Sequence, residues 1–173
     1  MTGGLTFSLA EEGEAEAIAA LQTAVAEHLT ARFGRGYWSS RTTARGVLGA
    51  MRQGRLVVGR MDGRPVAVAC VGTRKPWAID PAYFTPCARP VYLTNMAVAP
   101  EYQGKGIGRR CLGEAVEVAR SWPGDAVRLD AYDAAAGAGP FYAKCGFDFR
   151  GRASYRGTPH LYYELLLDRT NLA

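Results

Sequence analysis

The chain has 173 residues, of which 48% are hydrophobic and 21% are charged, and its formal net charge is +5. This length and composition predict a globular protein with one domain over residues 1–173, and no run approaches the roughly 18 apolar residues of a membrane span, which excludes a transmembrane helix. The positive charge suits either a nucleic acid or a polyanionic small molecule as partner, and it does not by itself distinguish the two.

The N-terminal residues and the cysteines restrict the location and the cofactors. Residues 1–17 lack the basic and apolar regions of a signal peptide and turn acidic, so we expect a cytoplasmic protein. The four cysteines never form a CxxC pair, and the two histidines add no ligand spacing. We therefore expect no metal site.

The first third of the chain predicts a strand followed by two helices. The predicted ranges are 5–9 for the strand, 12–32 for the first helix and 41–53 for the second. Gly34 provides a stop for the first helix, because glycine readily follows a helix end. Ser40 is the predicted N-cap of the second helix, and Gly54 lies beyond its C-terminal end.

A hairpin and an irregular segment follow. Strands at 55–61 and 64–72 flank Asp62-Gly63, a pair that supplies the positive φ angles of a tight two-residue turn. Residues 73–90, which we call the proline segment, contain four prolines and three aromatic residues without regular periodicity. A stretch of this length without regular structure is more often functional than filler.

The second half of the chain alternates strands and helices. The predicted elements are a strand at 91–98, a helix at 105–121, a strand at 126–132, a short helix at 136–146, and a closing hairpin of strands at 147–155 and 160–167, with its turn at 156–159. Together with the first half, the order βααβββαβαββ predicts one mixed α/β sheet.

The start of the predicted helix at 105 brings glycines and cations together. The residues concerned are Gly104, Lys105, Gly106, Gly108, Arg109 and Arg110. A helix N-terminus exposes unpaired N–H groups and carries about half a positive charge, so cations there are unfavourable unless a bound anion offsets them. Glycines allow an anion to approach the amides. We therefore predict that residues 103–109, the glycine loop, bind phosphate; the alternative is a glycine-rich turn with a solvated basic face.

Spacing excludes two common nucleotide-binding motifs. The chain has no GxxxxGK[ST] run, so it lacks a P-loop. The GxGxxG fingerprint would need a glycine at 109, where the chain has Arg109, and its turn should follow the first strand of a βαβ unit. The predicted phosphate site therefore belongs to a different class.

Two motifs occur in order, one in the glycine loop and one near the C-terminus. The first is Gln103-x-x-Gly106-x-Gly108 after a strand that ends in MAVAP; the second is GPFYAKCGFDFRG at 139–151, where an aromatic pair precedes a lysine and a Gly-Phe. With the order of elements, they resemble the GNAT superfamily of acyl-CoA-dependent N-acetyltransferases. The resemblance implies a central mixed sheet of six or seven strands, flanked by about four helices, and acetyl-CoA as co-substrate.

The resemblance also implies how acetyl-CoA is held. Backbone groups at the end of the 91–98 strand, at Met96, Ala97 and Val98, would pair with the pantetheine arm. Amides of the glycine loop would hold the diphosphate, with nearby basic side chains available to the phosphates. The loop residues so implied are Gln103, Gly104, Lys105, Gly106, Ile107, Gly108 and Arg109.

For the chemistry, the resemblance implies that Tyr142 is the acid that protonates the departing CoA thiolate. A phenol with a pKa of about 10 suits a thiolate of similar basicity. Considered without the motif, Tyr142 is better explained as a core aromatic residue beside Phe141 and Phe147, and the motif reverses that preference.

The general base is left open by the sequence. Family members often use a glutamate on the central strand, where this chain has Asn95. The remaining candidate carboxylates are Asp80, Glu101, Asp130 and Asp133, and no spacing distinguishes one of them. An acceptor that arrives as a neutral amine would need no strong base.

Aromatic residues mark the regions from which family members build the acceptor site. They are Tyr37 and Trp38 between the first two helices, and Trp77, Tyr83 and Phe84 in the proline segment. A charged amine above such rings would gain about 0.5–2 kcal/mol from cation–π attraction. The alternative is that these rings only anchor irregular loops.

The observations together predict a cytoplasmic N-acetyltransferase that moves the acetyl group of acetyl-CoA to a primary amine of a small molecule or peptide, by direct attack through a ternary complex. The main alternative is a non-catalytic CoA-binding or sensor module of the same fold. Nucleic acid is not expected as a partner because basic and aromatic residues do not interleave. No membrane partner is expected, and a homodimer is a further expectation of the resemblance.

Overall fold

Seven β-strands and four α-helices make up the computed structural model, which describes residues 4–168. The strands are β1 (Thr6–Leu9), β2 (Arg55–Met61), β3 (Arg64–Gly72), β4 (Pro90–Val98), β5 (Ala126–Tyr132), β6 (Asp148–Tyr155) and β7 (Thr158–Leu166). The helices are α1 (Ala15–Phe33), α2 (Ala44–Gln53), α3 (Ile107–Ser121) and α4 (Gly139–Lys144). Every predicted strand and helix is present, with small shifts at the ends.

The strands form one mixed sheet in the order β1-β2-β3-β4-β5-β7-β6. The β4–β5 pair is parallel, through residues 90–92 and 126–128. The pairs β1–β2, β2–β3, β5–β7 and β6–β7 are antiparallel. The predicted fold class, a mixed sheet of six or seven strands with about four helices, is thereby confirmed.

Residues 4–71 and 94–116 form one compact unit. Its core joins apolar side chains of α1 and α2 to those of β2 and β3, among them Ile18, Val47, Val58 and Val68. Val58 and Val68 are opposite each other in the β2–β3 register, and both are fully buried. At the tip of this hairpin Asp62 and Gly63 have φ angles of 50° and 77°, which confirms the predicted two-residue turn.

The N-cap predicted for the second helix was wrong. The helix begins at Ala44, and the side chain of Thr43 accepts a hydrogen bond from the amide of Gly46 at 3.1 Å. Tyr37–Ser39 instead form a 3₁₀ turn, after which Ser40 is extended. Serine and threonine are both favourable N-caps, so the choice depended on where the preceding turn ended.

Residues 72–93 and 117–168 form the other compact unit. In it β7 lies between β5 and β6, and the β6–β7 turn consists of Arg156 and Gly157, with φ angles of 50° and 79°. The predicted turn at 156–159 was therefore too long, because β7 already begins at Thr158. A bulge at Gly151, whose φ is 140°, interrupts the β6–β7 register.

Two sequence expectations bear on the whole chain. None of the helices within residues 4–168 has both the length and the apolar composition needed to cross a membrane. Residues 1–3 and 169–173 of the predicted single domain lie outside the described residues, and the single domain stays a prediction.

Candidate functional site

The glycine loop follows β4 in the first compact unit and leads into α3. Gly104 and Gly106 have φ angles of 73° and 79°, in the left-handed region that favours glycine. The helix begins at Ile107 rather than at Lys105 as predicted, because a residue with positive φ cannot be part of a right-handed helix. An ideal Cβ on Gly104 or Gly106 would meet nothing within 4 Å, so backbone conformation rather than space requires glycine here.

The amides of this loop have no acceptor within the described part of the chain. The first amide that is bonded belongs to Arg110, which donates to the carbonyl oxygen of Gly106 at 3.2 Å. The amides of residues 104–109 precede this bond and make none of their own with residues 4–168. Successive free N–H groups at a helix N-terminus are the usual protein site for a phosphate.

Three cationic residues belong to the same stretch of the chain. Lys105, Arg109 and Arg110 are all exposed, and none forms an ion pair with any described carboxylate. The Nζ atom of Lys105 lies 5.4 Å from the ring centre of Tyr102, and the guanidinium carbon of Arg110 lies 5.4 Å from that of Phe7. Their charges are therefore not neutralised by carboxylates of residues 4–168, and the site is electropositive.

Gln103 connects the glycine loop to the end of β4. Its side-chain Nε2 donates to the carbonyl oxygen of Val98 at 2.9 Å. The amide of Ala99 donates to the carbonyl of Val66 at 2.8 Å, which holds the residue after the strand against β3. Met96, Ala97 and Val98 are partly buried in the same unit. The side chain of Gln103 therefore has a role in the shape of the loop that sequence reasoning missed.

Asn95 interrupts the regular course of β4. Its φ is 52°, and its carbonyl oxygen accepts a bond of 3.5 Å from Nε2 of Gln22 on α1. Asparagine tolerates the left-handed region better than most residues, so it suits a strand that bends at this point.

Tyr142 lies on α4 in the second compact unit and is only 7% exposed. Its ring packs against three aromatic rings, with centroid distances of 5.2 Å to Phe141, 5.9 Å to Phe147 and 6.3 Å to Tyr163. The core packing considered as the alternative reading is therefore present. It fixes the direction of the phenol and leaves the predicted role as an acid untested.

Asp130 differs from the other candidate carboxylates because it lies beside a buried histidine. Its Oδ2 is 2.9 Å from Nδ1 of His160, and the two side chains are 21% and 7% exposed. The contact is within ion-pair distance, although the ring N–H is not aligned for a regular hydrogen bond. Burial raises the pKa of Asp130, and the nearby imidazole acts in the opposite direction.

The other candidates have local structural roles or are solvated. The Oδ1 atom of Asp80 accepts from the amide of Ala82 at 3.0 Å and caps the 3₁₀ turn Pro81–Tyr83. Asp133 pairs with Arg152 at 3.4 Å, and Glu101 is exposed.

The predicted acceptor residues differ in exposure. Tyr37 is 58% exposed and Tyr83 is 37% exposed, while the indole of Trp38 donates to the carbonyl of Gly34 at 3.0 Å. Phe84 is 4% exposed and packs with Ile79, Tyr92 and Tyr162, which favours a packing role for this ring. That these four residues contact an acceptor stays a prediction.

A buried ion pair that sequence reasoning missed holds the proline segment. Nε of Arg128 donates to Oε2 of Glu164 at 3.1 Å, and both residues are almost fully buried. The same two side chains bond the backbone of Thr85, whose carbonyl accepts from Arg128 at 2.7 Å and whose amide donates to Glu164 at 3.1 Å. The available signal was a charged residue flanked by apolar residues in each of two strands, Arg128 in β5 and Glu164 in β7.

The model of the acetyltransferase (GNAT) family matches residues 18–147. The chain belongs to the GNAT acetyltransferase family. The matched range contains the glycine loop and the second motif as far as Phe147, so the resemblance inferred from both is confirmed. No curated protein matches the sequence.

Solved structures of other GNAT proteins share this fold. A GNAT-family acetyltransferase from Streptococcus agalactiae has a TM-score of 0.75 at 18% identity, covering 98% of this chain and 99% of that one. The yncA protein of Salmonella typhimurium, solved with its cofactor acetyl-CoA, has a TM-score of 0.70 at 17% identity, covering 96% of both chains. A ribosomal-protein-alanine N-acetyltransferase from Brucella melitensis has a TM-score of 0.68 at 17% identity, covering 94% and 99%. At such identities the likeness concerns the fold alone.

That the protein needs no metal stays a prediction. Within residues 4–168, no three side chains of histidine, cysteine, aspartate or glutamate come together as a metal site would require.

Proposed function

We propose that the chain transfers the acetyl group of acetyl-CoA to a primary amine of a small molecule or peptide, by direct attack through a ternary complex. The observation that carries this proposal is the free amide array of residues 104–109, in a chain of the GNAT family, together with three cations at residues 105, 109 and 110 that pair with no described carboxylate. Such an array attracts a polyanion, and the diphosphate of CoA is one.

The donor side is assigned to the glycine loop and the end of β4. Amides of residues 104–109 hold the diphosphate, with Lys105 near its charge, and the backbone of Met96, Ala97 and Val98 binds the pantetheine arm. The amide of Gln103 is not available, because it donates to the carbonyl oxygen of Pro100 at 3.3 Å. The presence of acetyl-CoA in the structure of yncA supports this choice of donor. The chemistry that acetyl-CoA supplies when bound is a thioester carbonyl open to attack.

Tyr142 is assigned as the group that holds a proton for the departing sulfur. A phenol fixed by surrounding rings is oriented without loss of entropy at the moment of transfer. We expect Tyr142→Phe to lower kcat about 100-fold while the Kd for acetyl-CoA stays within a factor of two or so. Tyr155→Phe on β6 is the matched control; equal losses of kcat and binding would mark Tyr142 as structural.

The acceptor is proposed to be a primary amine, and no particular compound is assigned. The Brucella enzyme is named for a ribosomal-protein alanine, which supports a peptide N-terminus as one option beside small amines. Tyr37, Trp38 and Tyr83 are the aromatic residues proposed to meet it. A cytoplasmic location and a homodimer stay predictions.

Two measurements test the proposal. Acetyl-CoA should raise the melting temperature, because a ligand that binds only the folded state stabilises it. A panel of polyamines, amino acids, aminoglycosides and peptides with free N-termini, read by release of free thiol, should then identify an acceptor. No shift with millimolar acetyl-CoA would contradict the donor site, whereas binding without thiol release would favour the non-catalytic CoA-binding module.

A further inference from the structure

We propose that Asp130, positioned by His160, takes the proton from the acceptor amine. The inference rests on the proposed N-acetyl transfer and supplies the base that the sequence left open. It depends on three observations in the second compact unit, which concern the pairing of the two residues, the side of the sheet on which they lie, and their accessibility.

The strand register brings the two residues together. Asp130 on β5 is opposite Tyr162 on β7, and His160 lies two residues before Tyr162, so Asp130 and His160 are diagonal neighbours on one face of the sheet. Their side chains meet at 2.9 Å between Oδ2 and Nδ1. His160 is 6% exposed, so its imidazole lies behind the carboxylate and is closed to solvent.

The carboxylate itself is the accessible member of the pair. The side chain of Asp130 is 21% exposed, against 7% for His160. A substrate can therefore reach Asp130 but not the ring behind it, which makes Asp130 the group that contacts substrate and His160 the residue that acts through it. Burial raises the pKa of Asp130, which strengthens it as a base, and His160 opposes that rise.

Other ionisable groups face the pair from the neighbouring elements. The ring of Tyr132 on β5 lies 5.7 Å from that of His160. Burial raises the pKa of Tyr162 on β7, and the negative charges of Asp130 and of Asp80 in the proline segment raise it further. Burial and the charge of Asp130 raise the pKa of Tyr132 in the same way. Both phenols therefore remain neutral while Asp130 titrates.

In this proposal the group that accepts a proton and the group that donates one lie on opposite faces of the β5–β7 strand pair. Tyr162 and Tyr163 are consecutive on β7 and point to opposite faces. Asp130 shares the face of Tyr162, against which the proline segment packs through Tyr83 at 5.2 Å. Tyr142 packs at 6.3 Å against Tyr163 on the other face. Asp130 is therefore on the side of the proline segment, where the amine is proposed to enter. Tyr142 is on the opposite side, where the CoA thiolate is proposed to leave.

The transfer balances with these groups. The ammonium N–H bond breaks and its proton passes to the carboxylate of Asp130. The freed electron pair of the nitrogen forms the C–N bond with the acetyl carbon, the C–S bond breaks, and the CoA thiolate takes a proton from Tyr142. The second proton of the product nitrogen returns through solvent to Tyr142, and Asp130 releases its proton to solvent.

The test compares variants of the full chain with one amine found in the screen. Asp130→Asn should lower kcat about 100-fold with the KM for acetyl-CoA unchanged, and Asp130→Glu should restore part of the rate. His160→Gln should move the acidic limb of the kcat/KM profile to higher pH, because it removes the imidazolium that lowers the pKa of Asp130. A merely structural role for His160 would change the rate without moving this limb.

Asp148→Asn is the matched control, since Asp148 is an exposed aspartate on β6. It should keep the wild-type rate and pH profile. Wild-type rate in folded Asp130→Asn, or an unmoved acidic limb in His160→Gln, would overturn the inference and leave the proposed function intact. If Asp130→Asn fails to fold, the position of the acidic limb in the kcat/KM profile of His160→Gln tests the inference by itself. A wild-type chain that transfers no acetyl group to any amine would overturn both.

Discussion

The glycine loop and the proline segment are both irregular, and they satisfy their backbone groups in opposite ways. In the glycine loop, the amides of residues 104–109 have no acceptor within the described chain. In the proline segment, buried side chains bond the backbone at several points, with Thr85 held by Arg128 and Glu164. The hydroxyl of Tyr162 also donates to the carbonyl of Ala78 and accepts from the amide of Asp80.

The contrast shows two uses of an irregular segment. One leaves its backbone amides free to bind a ligand, and the other bonds its backbone groups to buried side chains and so becomes part of the packed fold. Exposed amides cost little free energy when no protein group accepts from them, because they donate to water until an anion replaces it. Groups that are buried need a protein partner, because an unpaired buried polar group costs about 1–3 kcal/mol. Four predictions test the contrast, from the largest expected effect to the smallest.

Arg128→Met should have the largest effect, on stability. It removes the close, buried cation of Glu164 and leaves only Arg150, whose Nε is 3.9 Å from Oε1. Removing one partner of a buried pair costs about 3–5 kcal/mol. Chemical denaturation should show the loss. Arg152→Met is the control, because the Arg152–Asp133 pair is largely exposed and such pairs contribute about 0–1 kcal/mol. Equal losses in both variants would mean that the proline segment is not held by the buried pair.

Gly106→Val should abolish binding of acetyl-CoA without unfolding the chain. Valine at a φ of 79° is strained, and its branched side chain would turn the loop amides away, so we expect affinity to fall about 100-fold or more. Calorimetric titration measures it. Gly113→Val, in an exposed part of α3, is the control and should bind normally; unchanged affinity in Gly106→Val would mean that the phosphates bind elsewhere.

Tyr162→Phe should loosen the proline segment while the sheet remains intact. It removes the hydroxyl that bonds Ala78 and Asp80, and the expected loss is about 1–2 kcal/mol of unfolding free energy. Thermal melting measures it, with Tyr155→Phe as control. If the two variants melt together, the hydroxyl of Tyr162 does not contribute to holding the segment.

Gln103→Ala should have the smallest effect and act on the loop alone. Its side chain bonds the carbonyl of Val98, and loss of one such bond at an exposed site costs about 1 kcal/mol, or a roughly fivefold weaker affinity for acetyl-CoA. The melting temperature should hardly change. Gln53→Ala, at the exposed end of α2, provides the comparison, and equal affinity in the two variants would show that Gln103 does not shape the loop.

Much of the fold was predictable because its signals are local. Asp62-Gly63 specified a tight turn through the φ angles that these residues tolerate, and the glycine loop was visible from spacing alone. The N-cap of α2 was misassigned because Ser40 and Thr43 are both favourable caps, and Thr43 is the one used. Only the end of the Tyr37–Ser39 turn, which depends on packing, distinguishes them.

Most of the candidate site was less predictable because it depends on strand register. Arg128 and Glu164 are buried partners because β5 and β7 align these two residues directly. A shift of one residue would turn both to the opposite face of the sheet. For the same reason the sequence offered four candidate carboxylates, and only the register singles out Asp130 beside His160.

The sequence by itself determined the order of elements, the tight turn at Asp62-Gly63, the glycine loop and the GNAT family, because each depends on residues close together in the chain. The tertiary structure alone decided which charges are paired, how the proline segment is held and which carboxylate lies against an imidazole. Those contacts join residues far apart in sequence, and only the pairing of strands brings them within reach.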